Sequence, residues 1–291
     1  PSSSTSEPTT PTVGAGGSAG SSVNEGGLGG VPIVGVAGMS NVGAGGAAVM
    51  VDCSLAGSAA VMVAWDDISD QAPEWYATQE ALSVAENVIY YQNANRGWPK
   101  EIDMTSQAAP RDEESTIDND ATTTQIDYLA RVFTATGCAK YRDAALAGIE
   151  YLLEAQYENG GWPQVFPDAQ GYATHITFND NAMVHVLDLL RAVAERAERF
   201  AFASDALVAS AGAAVERGIG VILATQVVSD DGTGIGWCAQ HDEVTLEPAQ
   251  ARTYELPSLS GSEGAALFRV PMTTENPSPE VRAAVEGAAQ W

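Results

Sequence analysis

The chain has 291 residues, and 45% of them are hydrophobic, so it is long enough to bury a sizeable core in one large or two ordinary domains. It carries 38 acidic residues against 13 basic ones, which gives a formal net charge of -25. This charge argues against nucleic acid and anionic membrane surfaces as partners. Only two of the bases are lysines, Lys100 and Lys140. The three cysteines lie far apart and allow at most one disulfide.

The first part of the chain has a biased composition. Residues 1–24 consist almost entirely of Pro, Ser, Thr, Gly and Ala, which cannot bury enough apolar surface to fold. This is typical of linkers in extracellular polysaccharide-degrading proteins, and a frayed terminus has the same composition. The Gly- and Ala-rich segment 25–60 is assigned no structure. The apolar stretch 42–64 is interrupted by Asp52 and several glycines, which argues against a membrane span.

Helical periodicity dominates after Trp65. The spacing of apolar residues predicts five amphipathic helices, over residues 80–91, 122–136, 141–157, 179–200 and 204–225. We therefore expect one mainly α domain over residues 61–291.

A helix that ends in Gln and leads into a Gly-Trp turn occurs three times. The anchors are Gln92 with Gly97-Trp98, Gln156 with Gly161-Trp162, and Gln226 with Gly236-Trp237. In the first two units a second helix follows an Asp/Asn triplet, at residues 118–120 and 179–181. A period of roughly 60 to 75 residues is too long for a solenoid of short repeats. It suits a closed ring of inner and outer helices, an (α/α) toroid.

The Asp/Asn triplets are candidate cation ligands. If both helix starts lie at the same end of the ring, Asp118, Asp120 and Asp180 come close together, and carboxylate oxygens suit calcium. The alternative is that these residues are ordinary helix N-caps. Two triplets at matched positions of a repeat favour the cation site over capping alone.

Other polar and aromatic residues near the turns have two interpretations each. The Gly-Trp-Pro turns either stack on sugar rings or pin the loops into the core, and we favour the core. Lys100 follows the first turn directly and is well placed to hold a carboxylate. Arg252 follows the third turn among polar and aromatic residues, and the alternative to a binding role is a surface pair with Glu255.

Together, these segments resemble the pectate lyases of polysaccharide lyase family ten, whose fold is an (α/α) toroid. The resemblance covers about Trp65 to Trp291. It lies in five motifs that occur in the same order: Tyr90-Tyr91-Gln92 through Gly97-Trp98-Pro99-Lys100, Thr116-Ile117-Asp118-Asn119, Gly160-Gly161-Trp162-Pro163-Gln164, Ile176-Thr177-Phe178-Asn179-Asp180-Asn181-Ala182-Met183, and Ala251-Arg252 to Pro257-Ser258.

The resemblance implies a secreted, extracellular enzyme that cleaves polygalacturonate (pectate) by calcium-assisted β-elimination to unsaturated oligogalacturonides. Asp118 and Asp180 stand at the positions of calcium ligands, and Lys100 and Asn119 at positions that contact the substrate. Arg252 stands at the position of the family's proposed Brønsted base, so Arg252 and Asp118 are the predicted catalytic residues. An arginine base needs a lowered pKa, which crowded positive charge would provide.

Two other functions stay open. An inverting glycoside hydrolase on a helical toroid would use Asp118 and Asp180 as its acid and base. Family members continue beyond the equivalent of Trp291, so the catalytic domain over residues 61–291 is expected to be C-terminally truncated. An inactive, calcium-dependent pectate-binding fragment is therefore the third interpretation. We expect a monomer that binds polygalacturonate and has neither nucleic acid nor membrane as a partner.

Overall fold

The computed structural model describes residues 51–55, 59–273 and 276–290. The helices of these residues are α1 (Gln79–Tyr91), α2 (Thr123–Thr136), α3 (Ala139–Ala155), α4 (Ala182–Ala194), α5 (Asp205–Ala224), α6 (Gly261–Met272) and α7 (Pro279–Gln290). The short strands are β1 (Ile176–Thr177), β2 (Val227–Val228), β3 (Gly234–Gly236) and β4 (Gln240–His241), and β1 pairs antiparallel with β4 as β2 does with β3. The linker predicted at 1–24 and most of the segment 25–60 lie outside the described residues.

The helices pack in two layers. Helices α2, α4 and α6 contact one another in chain order and form the first layer, while α1, α3, α5 and α7 form the second. Each first-layer helix also packs on the helix that follows it, α2 on α3, α4 on α5 and α6 on α7. The chain thus alternates between the layers in successive helical hairpins, and the predicted helical toroid is confirmed.

All five predicted helices are present, and α6 and α7 are additional. The largest difference lies in the helix predicted over residues 179–200, which is divided. Asn179–Asn181 form a 3₁₀ turn, α4 ends at Ala194, and Glu198–Phe200 form a second 3₁₀ turn. Asp180 and Asn181 have φ values of 50° and 58°, a left-handed conformation that Asn and Asp adopt more readily than most residues.

The tryptophans of the three Gly-Trp turns are part of the core, as predicted. Their side chains are fully or almost fully buried, with exposures of 0%, 0% and 1%. Each indole N–H donates to a carbonyl in the last turns of the preceding second-layer helix. The bonds run from Trp98 to Val88, from Trp162 to Leu152 and from Trp237 to Ile222, at 2.7, 2.7 and 2.6 Å. These rings are therefore not available to stack on sugars.

The glutamines of the repeat tie neighbouring second-layer helices together. Each side-chain amide donates to a carbonyl of the next helix of that layer. The bonds run from Gln92 to Ala144, from Gln156 to Ala214 and from Gln226 to Ala284, at 3.1, 2.9 and 2.8 Å. The repeated Gln and Trp thus build the scaffold: the Trp side chains satisfy carbonyls of the last helical turn, which lack an intrahelical partner, and the Gln side chains join neighbouring helices.

One disulfide joins Cys53 to Cys138 across 85 positions of the sequence. It connects a short 3₁₀ helix, Cys53–Leu55, to the residue that precedes α3. Cys238 is buried and free. The expectation of at most one disulfide is therefore confirmed.

Candidate active site

A groove of about 580 Å³ opens among the turns that precede α2 and α4 and the segment that precedes α6. Five residues singled out from the sequence line it: Lys100, Asp118, Asn119, Asp180 and Arg252. The wall also contains polar and aromatic residues to which the sequence analysis gave no site role: Gln164, Tyr172, Gln240 and Tyr254.

Both Asp/Asn triplets form kinked turns and not helix caps. The turns Asp118–Asp120 and Asn179–Asn181 pack against each other, and each contains a residue with φ near 50°, Asn119 in the first and Asp180 in the second. Neither α2 nor α4 receives a hydrogen bond from a capping side chain. The N-cap alternative therefore does not explain the triplets, whose matched turns instead present one carboxylate each to the groove.

Asp118 is the most buried acid of the groove, with 3% exposure. Its Oδ2 accepts hydrogen bonds from Lys100 Nζ at 2.5 Å and from Gln164 Nε2 at 2.7 Å. Its Oδ1 is buried and has no hydrogen-bond partner among the described residues. A buried carboxylate oxygen left unpaired is unfavourable, so this atom is a natural position for a further ligand.

Lys100 is held as a cation at the groove wall. Burial alone would lower the pKa of Lys100, but the hydrogen bond and the negative charge of Asp118 outweigh it and raise that pKa.

Gln164 occupies the equivalent position of the next repeat, since Trp162-Pro163-Gln164 matches Trp98-Pro99-Lys100. The repeat was the signal that could have identified Gln164, because equivalent positions of a ring meet the same region of the groove.

The carboxylate of Asp180 has no salt bridge among the described residues, and its Oδ2 accepts a hydrogen bond from Asn179 Nδ2 at 2.5 Å. Burial and the charges of Asp118 and Glu263 raise its pKa, against the opposing effect of Lys100 and Arg252. A carboxylate whose pKa is raised by burial and by neighbouring acids indicates a site able to take up a cation.

Asp120 does not join the other two aspartates, contrary to the sequence-based expectation. Its left-handed backbone, with φ of 59°, turns the side chain toward α4, where Oδ1 lies 2.5 Å from His185 Nδ1. Asn119 does line the groove, and its Nδ2 donates to Glu101 Oε1 at 3.3 Å.

Arg252 also lies in the groove wall and forms a bidentate pair with Glu255. Its Nε and Nη2 donate to the two carboxylate oxygens at 2.8 and 2.5 Å. The Arg252 side chain is 54% exposed, and its guanidinium carbon lies 5.3 Å from the centre of the Tyr254 ring. The hydrogen bonds and charge of Glu255 raise the pKa of Arg252. The expectation that the pKa of Arg252 is lowered is therefore wrong for this arrangement. The guanidinium is bonded to an acid, Glu255, and is not crowded by other bases.

Two solved structures of one protein resemble this chain. The first is an aspartate-to-alanine mutant of the family 10 polysaccharide lyase from Cellvibrio cellulosa in complex with trigalacturonic acid, with 34% identity, a TM-score of 0.69, and coverage of 78% of this chain and 69% of that one. The second is the family 10 polysaccharide lyase from Cellvibrio cellulosa, with 35% identity, a TM-score of 0.69, and coverage of 78% and 68%. No curated protein matches the chain.

The helical toroid, with a polar groove at the ends of its repeats, thus defines a polysaccharide lyase. A sequence model described as pectic acid lyase matches residues 92–291, and the chain belongs to the pectic acid lyase family. The family resemblance seen in the sequence motifs is confirmed.

Proposed function

We propose that the chain is a secreted, calcium-dependent pectate lyase that cleaves polygalacturonate by β-elimination. The observation that carries this proposal is the meeting of an acidic pair, Asp118 and Asp180, with two bases, Lys100 and Arg252, in one groove. An acidic pair suits a hard cation, and the bases suit the carboxylates of a uronate chain. The relative from Cellvibrio cellulosa, seen in complex with trigalacturonic acid, supports the same substrate class.

The donor atoms of the groove fit calcium. Calcium takes oxygen ligands, including carboxylates and side-chain carbonyls. The buried Oδ1 of Asp118 has no partner among the described residues, and neither do the amide oxygens of Gln164 and Gln240. Asp118 and Asp180 would hold the ion. When bound, calcium withdraws charge from the uronate carboxylate and thereby acidifies the adjacent C5–H bond.

The protein's own residues bind and orient the sugar. Lys100 presents its ammonium to a uronate carboxylate and is kept in place by Asp118. Asn119 offers an amide to a hydroxyl or carboxylate oxygen. Arg252 accepts the C5 proton, the C5–H electron pair forms the C4–C5 double bond, and the glycosidic oxygen leaves C4 with its electron pair and is protonated by solvent. The asparagine and the two bases thus hold the reacting sugar in one orientation.

Glu255 sets a condition on this mechanism. The side chain of Arg252 can accept a proton only in its neutral guanidine form. Glu255 stabilises the charged guanidinium form instead. Arg252 therefore has to leave Glu255 when substrate binds. Loss of the pair lowers the pKa of Arg252 toward its ordinary value, and the loss of the proton that must still follow favours reaction at alkaline pH.

The disulfide supports the proposal of secretion. Disulfides persist in oxidising compartments and are rare in the cytosol, and Cys53 and Cys138 form one here. The Pro-, Ser- and Thr-rich composition of residues 1–24 supports the same location.

The test is incubation of the purified chain with polygalacturonate at alkaline pH while ultraviolet absorbance is followed, first with calcium and then with a chelator. We expect a calcium-dependent rise from the new double bond, and its loss in the variants Asp118→Asn and Arg252→Lys. New reducing ends without a rise in absorbance would instead establish hydrolysis. Substrate binding with neither product, in a folded chain, would establish a binding module.

A further inference from the structure

A second group of metal-binding side chains lies outside the groove. One possible ligand atom each of His175, Asp242 and Glu243 lies within 4.8 Å of the other two. None of the three residues lines the groove. His175 directly precedes β1, and the other two directly follow β4. The antiparallel pairing of Ile176 with His241 brings these strand ends together.

The three side chains are fixed by their surroundings. His175 Nδ1 lies 3.0 Å from Glu243 Oε2, and these side chains are only 19% and 26% exposed. Asp242 Oδ1 accepts the backbone N–H groups of Val244 and Thr245, at 3.0 and 2.7 Å. Little side-chain entropy would therefore be lost on binding a ligand.

The loop that carries the two acids is also anchored to the toroid. The backbone carbonyl of Glu243 accepts from Asn159 Nδ2 at 2.7 Å, and Asn159 belongs to the second Gly-Trp turn. The backbone N–H of Asp242 donates to the carbonyl of Glu247 at 2.9 Å, which closes the loop. These two bonds hold the loop beside His175 through backbone atoms of the acids, so they would persist with a metal bound to the side chains.

The donor types differ from those of the groove. An imidazole with two carboxylates is a ligand set of Zn²⁺ and related transition metals, whereas calcium takes oxygen ligands alone. The cluster has a net negative charge whether the imidazole is neutral or protonated, since two carboxylates face one histidine. A dication relieves the repulsion between these carboxylates.

We propose that His175, Asp242 and Glu243 bind a divalent transition-metal ion of the Zn²⁺ type, with water in the remaining coordination position. The ion clips together β1 and β4, each of which has only two residues. Residues next to these strands line the groove, Asp180 three positions after β1 and Gln240 within β4. The site is therefore structural and holds one wall of the groove in place.

The experiment is calorimetric titration of Zn²⁺ into the full chain, first stripped with chelator and then supplied with calcium to occupy oxygen-only sites. We expect a single tight site in the wild type and a loss of affinity of about 100-fold in His175→Gln, because substitutions even behind the ligands of metal sites reduce affinity by about 10- to 100-fold. The matched control is His185→Gln, which removes an imidazole that faces one carboxylate, Asp120. This control should bind Zn²⁺ as the wild type does.

A second variant and a second readout cover the case in which His175→Gln does not fold. Glu243→Gln should show the same loss, and Zn²⁺ should raise the Tm of the wild type and of His185→Gln but not that of Glu243→Gln. Equal Zn²⁺ affinity in the wild type and the two cluster variants would overturn the proposal and leave only a hydrogen-bonded His175–Glu243 pair. Equal loss in the control would overturn it as well.

Discussion

Replacing Asp180 by Asn should have opposite effects on stability with and without calcium. Burial and the charges of Asp118 and Glu263 raise the pKa of Asp180, so the ionised carboxylate destabilises the fold. This destabilisation is absent below the ordinary aspartate pKa of about 3.9 and develops as the pH rises through the raised value. In chelator at neutral pH, Asp180→Asn should therefore be the more stable chain.

The size of the effect is set by solvent exposure. Asp180 is only partly desolvated and remains an exposed residue, so solvent screens the repulsion, and we take about 0.5 kcal/mol as the gain from Asp180→Asn. About 1 kcal/mol moves the Tm of a domain of this size by roughly 2–4 °C, so the expected rise is about 1–2 °C. Calcium at 100 times its Kd stabilises a chain by about 2.7 kcal/mol. The wild type should gain this amount and Asp180→Asn much less, which reverses their order.

The assay is thermal unfolding at neutral and acid pH, in chelator and in calcium. Asp168→Asn is the matched control, because Asp168 is also exposed and left-handed, with φ of 66°, and its carboxylate has no hydrogen bond among the described residues. Any effect of Asn on the left-handed backbone is thus common to both variants. A lower Tm of Asp180→Asn in chelator, or an equal calcium-induced shift in all three chains, would refute the reasoning.

Three further changes test other parts of the molecule. Lys100→Met should lower kcat/KM for polygalacturonate, measured by initial rates, by about 10- to 100-fold through loss of a charge-assisted hydrogen bond. An unchanged kcat/KM would show that Lys100 does not bind the substrate. Glu255→Gln should lower the pKa of Arg252, because Glu255 raises it in the wild type. The alkaline optimum of kcat/KM should therefore shift to lower pH. A pH profile identical to that of the wild type would contradict Arg252 as the proton acceptor. Cys53→Ser should lower the free energy of unfolding by about 2–4 kcal/mol, because the disulfide to Cys138 spans 85 positions; denaturant unfolding that matches the wild type would contradict this.

The repeat was readable from sequence because its anchors have a local structural task. Gln92, Trp98 and their equivalents each donate to a backbone carbonyl of a helix at a fixed place in the hairpin, and the Trp rings also fill the core. The spacing of these residues therefore determined the order of the helices and the toroid. The same repeat predicted that the two Asp/Asn triplets occupy matched positions, which the packed pair of 3₁₀ turns bears out.

Tertiary structure decided which side chains face each other within those positions. Asp120 differs from Asp118 by two places in the sequence, yet its left-handed backbone turns it to His185 and away from the groove. The bond from Gln164 to Asp118 and the pair between Arg252 and Glu255 depend on backbone turns that hydrophobic periodicity does not describe.

The sequence by itself thus determined the family through motifs in a fixed order, the helical toroid through the spacing of its repeats, and five of the residues that line the groove. The tertiary structure alone decided the charge state favoured at Arg252, the unpaired oxygen of Asp118 and the meeting of His175 with the acids after β4. The physical reason is that pKa values and ligand geometry depend on distances between segments far apart in the chain, and those distances are fixed only when the helices pack.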